Sequence, residues 1–150
     1  MEIEKKYLVD NINFDLNNYK KVEINQGYLS IGDPEERVRM KKTGDVVSFV
    51  RTIKSGSGLC REETETNISA DEFNADWPKT EGKRIEKVRY KIPYEGLIIE
   101  LDIYGGKNIG LMVAEVEFDS IEAANNFRAP AWFGSDVTSD SKYKNKNLAK

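Results

Sequence analysis

Apolar and polar residues alternate along most of this chain with a period of two, the spacing that sends successive side chains to opposite faces of a strand. The first such stretch covers residues 2–9, where Glu2, Glu4 and Lys6 share one side and Ile3, Lys5, Tyr7 and Val9 the other. The same reading predicts strands over 22–31, 36–42, 46–54, 61–68, 83–92, 97–104 and 111–118. Thr43-Gly44-Asp45 and Tyr94-Glu95-Gly96 are turn sequences between strands, and Ser55-Gly56-Ser57-Gly58 reads as a flexible connection. Ser69 followed by Glu72 forms a capping box that predicts a short helix over about 70–76, ended by Trp77-Pro78. Ser120 caps a second helix over about 121–128, which Pro130 stops. Residues 10–20 and 131–140 read as loops, and 141–148 as a short basic helix. Without an internal repeat or a linker, residues 1–150 are expected to form one domain.

Charge within these strands is sorted by sign. Same-face acidic pairs recur at Glu2/Glu4, Glu63/Glu65, Glu100/Asp102 and Glu115/Glu117. Same-face basic pairs stand at Arg37/Arg39 and Lys87/Arg89, with Lys6 and Lys54 beside them. Two architectures fit. In one, an antiparallel sheet turns its charged face to water and its apolar face to a core. In the other, a closed barrel keeps a charged, hydrated interior and turns its apolar face outward under the short helices. Small barrels usually fill their interior with apolar side chains, so a charged interior would have to be hydrated, paired or filled by an anion and metal ions.

Composition narrows the chemistry. Charged residues make up 33% of the chain and hydrophobic residues 39%, with a net charge of −3. An acidic domain lacks the basic footprint of sequence-independent nucleic-acid binding. No apolar run approaches a membrane span, so neither nucleic acid nor membrane is expected as a partner. The single cysteine, Cys60, allows no internal disulfide and fits a reducing, cytoplasmic setting; it is read as a small packing residue. There is no histidine. That excludes a Ser-His-Asp triad and His-ligated zinc, and leaves carboxylates, Lys, Arg, hydroxyls and hard metal ions.

The ordered conjunction of these motifs resembles the CYTH, or triphosphate tunnel metalloenzyme, superfamily, and in particular its small bacterial inorganic triphosphatase-like members. Glu2, Glu4 and Lys6 match the Glu-x-Glu-x-Lys signature of the first strand. Gln26-Gly27-Tyr28-Leu29 is similar to the second strand, Arg37-Val38-Arg39 to the arginine pair, and Thr52-Ile53-Lys54 to the strand-end lysine. Glu63 and Glu65, Lys87-Val88-Arg89, Glu100-Leu101-Asp102 and Glu115-Val116-Glu117 match later strands, and 130–134 with 142–146 resemble the tail. The resemblance covers nearly the whole chain.

The resemblance implies a β-dominated (α+β) fold: a closed antiparallel tunnel barrel of about eight strands with a charged interior and short flanking helices. It implies a divalent-metal-dependent hydrolase of linear triphosphates, taking inorganic tripolyphosphate to pyrophosphate and phosphate. Lys6, Arg37, Arg39, Lys54, Lys87 and Arg89 would hold phosphate oxygens. Glu2, Glu4, Glu115 and Glu117 would hold Mg²⁺ or Mn²⁺, and a second ion, helped by Glu63, Glu65 or Asp102, would activate a water. Lys87 would orient that water or make one more phosphate contact. Glu100 and Asp102 would alternatively brace the basic residues. Lys142 and Lys144 would close one mouth of the tunnel or stay solvated, the latter being preferred for Lys144. The alternatives are a class IV-type adenylate cyclase, with Tyr28 or Phe49 stacking on adenine, and a non-catalytic polyphosphate-binding module. A homodimer is left open.

Overall fold

The computed structural model describes residues 2–56 and 62–150. The roles expected of Cys60, of Arg61 at the start of a strand, and of Ser57-Gly58 in a connection lie outside the described residues. Among the described residues, eight strands form one antiparallel sheet: β1 (Glu4–Leu8), β2 (Lys20–Ser30), β3 (Glu35–Thr43), β4 (Val46–Ser55), β5 (Glu62–Ile68), β6 (Arg84–Tyr94), β7 (Leu97–Tyr104) and β8 (Met112–Glu117). Their order is β1-β8-β7-β6-β2-β3-β4-β5. Tight hairpins join β3 to β4 and β6 to β7; in the second, Glu95 and Gly96 both take positive φ, the conformation that matches strand twist.

The helices are α1 (Ala70–Asp76), α2 (Ile121–Asn126) and α3 (Asn145–Leu148). The capping box starts α1 as expected: the Ser69 hydroxyl accepts from the Glu72 amide, and the Glu72 carboxylate accepts from the Ser69 amide. Ser120 caps α2 the same way, accepting from the Ala123 amide.

The sheet is not closed into a barrel, and this corrects the expectation of a closed one. Among the described residues, β1 and β5 share no ladder. The free edge of β1 is already taken by residues 134–138. Leu8 donates to the Ser135 carbonyl at 2.9 Å, and the amides of Gly134 and Val137 donate to the Leu8 and Lys6 carbonyls at 2.7 and 2.8 Å. The stretch read as a loop thus satisfies the main-chain groups that β5 would have needed. The β5 edge is instead exposed and carries Glu62, Glu63 and Glu65. Lys54 on β4 reaches Glu2 at 3.4 Å, and Glu2 shares a hydrogen bond with Glu63, so side chains bring the two edges together at one end.

On β4 and on β6–β8 the apolar side chains that point outward are covered in two places. Ile92, Ile99, Leu101, Ala114 and Val116 of β6–β8 pack with Phe118 and Ala124, under Trp132, Phe133 and Phe14. On the other side, Phe73 of α1 lies 5.0 Å from Phe49 of β4 and 5.0 Å from Trp77. The short turn Trp77–Thr80 sits directly on β2: a Cβ on Gly27 would fall 2.5 Å from the Thr80 hydroxyl. The concave face is left for charge. One end of it is sealed by an apolar plug in which Leu148 and Ala149 pack on Tyr28, Ile85, Tyr104 and Val113. Lys107 donates to the Ala149 carbonyl, Asn108 to the Leu148 carbonyl at 3.0 Å, and Tyr104 to Asn145 at 2.5 Å, which hold the tail in place. No helix among the described residues is long and apolar enough to cross a membrane.

Candidate active site

Above the plug lies a cavity of about 840 Å³ lined by residues of all eight strands and of the tail. Its β3 wall exists because Val38 lies on the opposite face of the strand from Arg37 and Arg39. Arg37 and Arg39 are each only 8% exposed. Register sets Gln26 of β2 beside Arg39 and Tyr28 beside Arg37. Arg39 Nε donates to Gln26 Oε1 at 2.8 Å, and Gln26 Nε2 donates to the Tyr28 hydroxyl at 2.8 Å. Burial, reinforced by Arg37 and Arg89, pulls the Arg39 guanidinium down to about 9. Arg37 Nε is buried without a hydrogen-bond partner among the described residues. Lys41, lowered by burial and by Arg39, sits 3.9 Å from Glu65.

The β6–β7 floor is built differently. Register pairs Arg89 with Asp102, and Asp102 is 2% exposed. The Asp102 carboxylate accepts from Lys87 Nζ at 2.8 Å and from Arg89 Nε and Nη2 at 2.8 and 3.0 Å. Glu100 lies 3.3 Å from Arg89 Nη1. Burial would raise Asp102, but Lys87 and Arg89 outweigh it and hold the carboxyl well below the usual carboxylate range. Burial pulls the Lys87 ammonium down to about 7; Arg89 and Arg39 add to this, and Asp102 opposes it. For Arg89, burial is overcome by Asp102 and Glu100, which hold it above the ordinary guanidinium range.

Acids crowd the third side. Register sets Glu4 beside Glu117 and Lys6 beside Glu115. Burial, followed by the Glu115 charge and hydrogen bond, pushes Glu4 up to about 9. Burial works in the same direction on Glu115, but the hydrogen bond from Glu4, with Lys6 and Arg89, brings it down to about 2. The two carboxyls therefore share one proton. Sharing of a hydrogen bond with Glu2, together with burial, raises Glu63 to about 7, while Glu2 is lowered chiefly by that same bond and by Lys54. Glu117 stands exposed at the rim, raised by burial and by neighbouring acids.

Among the described residues no three carboxylates converge closely enough to hold an ion as they stand. The donor set nevertheless suits a hard divalent ion. It is oxygen-only, and the proton between Glu4 and Glu115 relieves a repulsion that a cation would relieve equally.

The fold brings Glu2, Glu4, Lys6, Arg37, Arg39, Lys54, Glu63, Glu65, Arg89, Glu115 and Glu117 to the cavity lining. It puts Lys87 and Asp102 beneath the floor, with side-chain exposures of 0% and 2%. Asp102 thus has both oxygens on Lys87 and Arg89, the bracing arrangement. Lys144 and Lys146 line the cavity, and Lys6 Nζ donates to the Tyr143 carbonyl at 3.1 Å. Lys142 is exposed over the Tyr143 ring. Phe49 packs outside under α1, and Tyr28 is fully buried, so neither offers a free face for stacking. Sequence reading passed over Gln26. Its signal was a lone amide on the inward row of β2, between Val22, Ile24 and Tyr28.

No family model matches the chain. Two curated proteins do. The inorganic triphosphatase of Nitrosomonas europaea is 43% identical over 150 residues, covering 99% of this chain and 96% of that protein. The inorganic triphosphatase of Acetivibrio thermocellus is 35% identical, covering 99% and 93%. The crystal structure of an inorganic triphosphatase superposes with a TM-score of 0.75 at 39% identity, covering 99% of this chain and 94% of that one. A Hippeastrum protein reported to have a dominant triphosphatase activity shares the fold alone, with a TM-score of 0.59 at 18% identity over 83% of each chain. Full-length identity of this order, together with a cavity whose walls are divided between arginines and carboxylates, means that the chain belongs to the inorganic triphosphatase family of the CYTH, or triphosphate tunnel, superfamily.

Proposed function

We propose that the chain works as a single triphosphate-tunnel domain over residues 1–150 and hydrolyses inorganic tripolyphosphate to pyrophosphate and phosphate with a divalent ion. The observation that carries this is the opposition, across one cavity, of Arg37 and Arg39 to the acidic cluster around Glu4 and Glu115. Among the described residues neither arginine makes a salt bridge to a carboxylate, and the buried Arg37 Nε is a donor without an acceptor. A polyanion supplies such acceptors.

Arg37, Arg39, Lys54, Lys6 and Arg89 bind the phosphate oxygens, with Lys41, Lys144 and Lys146 around them. Glu2, Glu4, Glu115 and Glu117 hold the ion; an oxygen-only set favours Mg²⁺ or Mn²⁺. When bound, the ion supplies charge neutralisation and a water of lowered pKa. Glu63, raised to about 7, takes the proton from the attacking water at its carboxylate, assisted by Glu65 two residues along. Lys87 acts from below by holding Asp102 and, through it, Arg89. Asp102 is assigned to that brace and not to the ion.

The cyclase reading lacks support, because Tyr28 is the only aromatic residue lining the cavity among the described residues, and it is covered. The lone cysteine favours the cytoplasm.

Phosphate release from tripolyphosphate, ATP and pyrophosphate, each with Mg²⁺ or Mn²⁺ and with chelator, tests this. Fast release from tripolyphosphate alone, abolished by chelator, is expected. Cyclic AMP from ATP would overturn it. Ion binding is tested separately by calorimetry at pH 8 in buffers of different ionisation heat. Because Glu4 holds its proton up to about 9, binding should release about one proton, and Glu4→Gln should remove that release.

A further inference from the structure

We propose that Gln26 is a positioning residue that orients Arg39 while leaving its charge uncancelled, and thereby sets the affinity of the cavity for triphosphate. The inference rests on the triphosphatase reading and adds a residue to it.

Gln26 is fully buried, yet it is not packing material. Its inward neighbours on β2 are Val22, Ile24 and Tyr28, and an apolar residue at 26 would continue that row without the cost of a buried amide. The chemistry of its two partners fixes the way the amide faces. Arg39 Nε can only donate, so it must meet Oε1, which it does at 2.8 Å. Nε2 then faces the Tyr28 hydroxyl at 2.8 Å and donates to it. Arg37 lies beside that same hydroxyl. One neutral chain, Arg39–Gln26–Tyr28, therefore fixes the guanidinium of Arg39 by its Nε and abuts that of Arg37. The outer edge of Arg39 stays available to the cavity that it lines.

The choice of an amide matters because a carboxylate is the usual partner of a buried arginine. Asp102 plays that part for Arg89 on the adjoining strand pair, with two bonds at 2.8 and 3.0 Å. A glutamate at position 26 would hold Arg39 at least as firmly, since a charge-assisted bond is stronger than a neutral one. It would also remove the net positive charge that a polyanion recognises. Gln26 meets the geometric need without that loss.

The test compares Gln26→Glu, Gln26→Leu and Tyr28→Phe. Steady-state kinetics with tripolyphosphate and Mg²⁺ give KM and kcat, calorimetry of pyrophosphate gives binding without turnover, and thermal unfolding gives stability. Gln26→Leu should raise KM about tenfold, the scale of one hydrogen bond to a charged group. Gln26→Glu should raise KM by about tenfold or more and weaken pyrophosphate to match, although its unfolding temperature is unchanged or higher. Tyr28→Phe, the milder change, should raise KM by about two- to threefold. A purely structural role predicts the reverse for Gln26→Glu: a protein as stable as the parent with an unchanged KM. That result, in a parent that turns over tripolyphosphate, overturns the inference alone. A parent with neither turnover nor binding overturns the triphosphatase reading and the inference with it. Should either Gln26 variant fail to fold, an unchanged KM in Tyr28→Phe overturns the inference.

Discussion

Two cationic regions face the same cavity and are held in opposite ways. On β3, Arg39 is held by the neutral Gln26–Tyr28 chain, and Arg37 Nε has no hydrogen-bond partner among the described residues. On β6, Lys87 and Arg89 converge on Asp102, with Glu100 on the far side of Arg89. The difference separates binding from support. A cation matched to a buried carboxylate is electrostatically satisfied and mechanically fixed. A cation held by an amide is fixed but still demands an anion. On the function proposed above, the β3 pair would be the principal grip on triphosphate, and the β6 pair, of which only Arg89 lines the cavity, would be chiefly the frame under it.

Removal of the shared carboxylate tests the frame most severely. Asp102→Ala leaves Lys87 and Arg89 buried without their partner and should cost about 3–5 kcal/mol of unfolding free energy, measured by chemical denaturation. A loss below about 1 kcal/mol would break the comparison. Arg39→Ala should behave in the opposite sense. It should lower kcat/KM for tripolyphosphate by about a hundredfold, on the scale of a lost electrostatic donor, with little loss of stability. Equal damage to folding in both variants would erase the distinction.

Acid sharpens it further. Asp102 is held below its unfolded value, so it binds fewer protons folded than unfolded as pH falls through the carboxylate range. Its contribution to stability is complete above about pH 4 and lost as pH drops towards its folded value. Denaturation between pH 5 and 2 should show this loss, and a stable Asp102→Asn should lose less over the same range. The smallest effect is expected at Glu100, which is 28% exposed and 3.3 Å from Arg89. Glu100→Gln should cost about 1 kcal/mol or less, because solvent screens the pair.

Much of the fold was legible in the chain. All eight strands and the α1 capping box lie where alternation and turn chemistry predict them, and the sign-sorted rows do share a face. For the tail, the sequence suggests closure of one mouth by Lys142 and Lys144 or plain solvation, whereas the residues that pack against the cavity's end are the apolar Leu148 and Ala149. The closed barrel was misjudged because nothing local in 134–138 signals a strand; its hydrogen bonds to Leu8 and Lys6 arise only when α2 returns the chain past β1. Lys87 and Arg89 look alike in sequence, two residues apart on one face, yet only Arg89 reaches the cavity lining.

Alternation is a local property with a period of two, so the sequence alone determined which residues share a face and that acids and bases would meet there. Strand order is not local. The register of β6 on β7 put Asp102 against Lys87 and Arg89, and the register of β2 on β3 gave Arg39 an amide for a neighbour. Which cations are matched and which are free to bind follows from contacts between residues 13 to 15 positions apart, and only the tertiary structure could decide it.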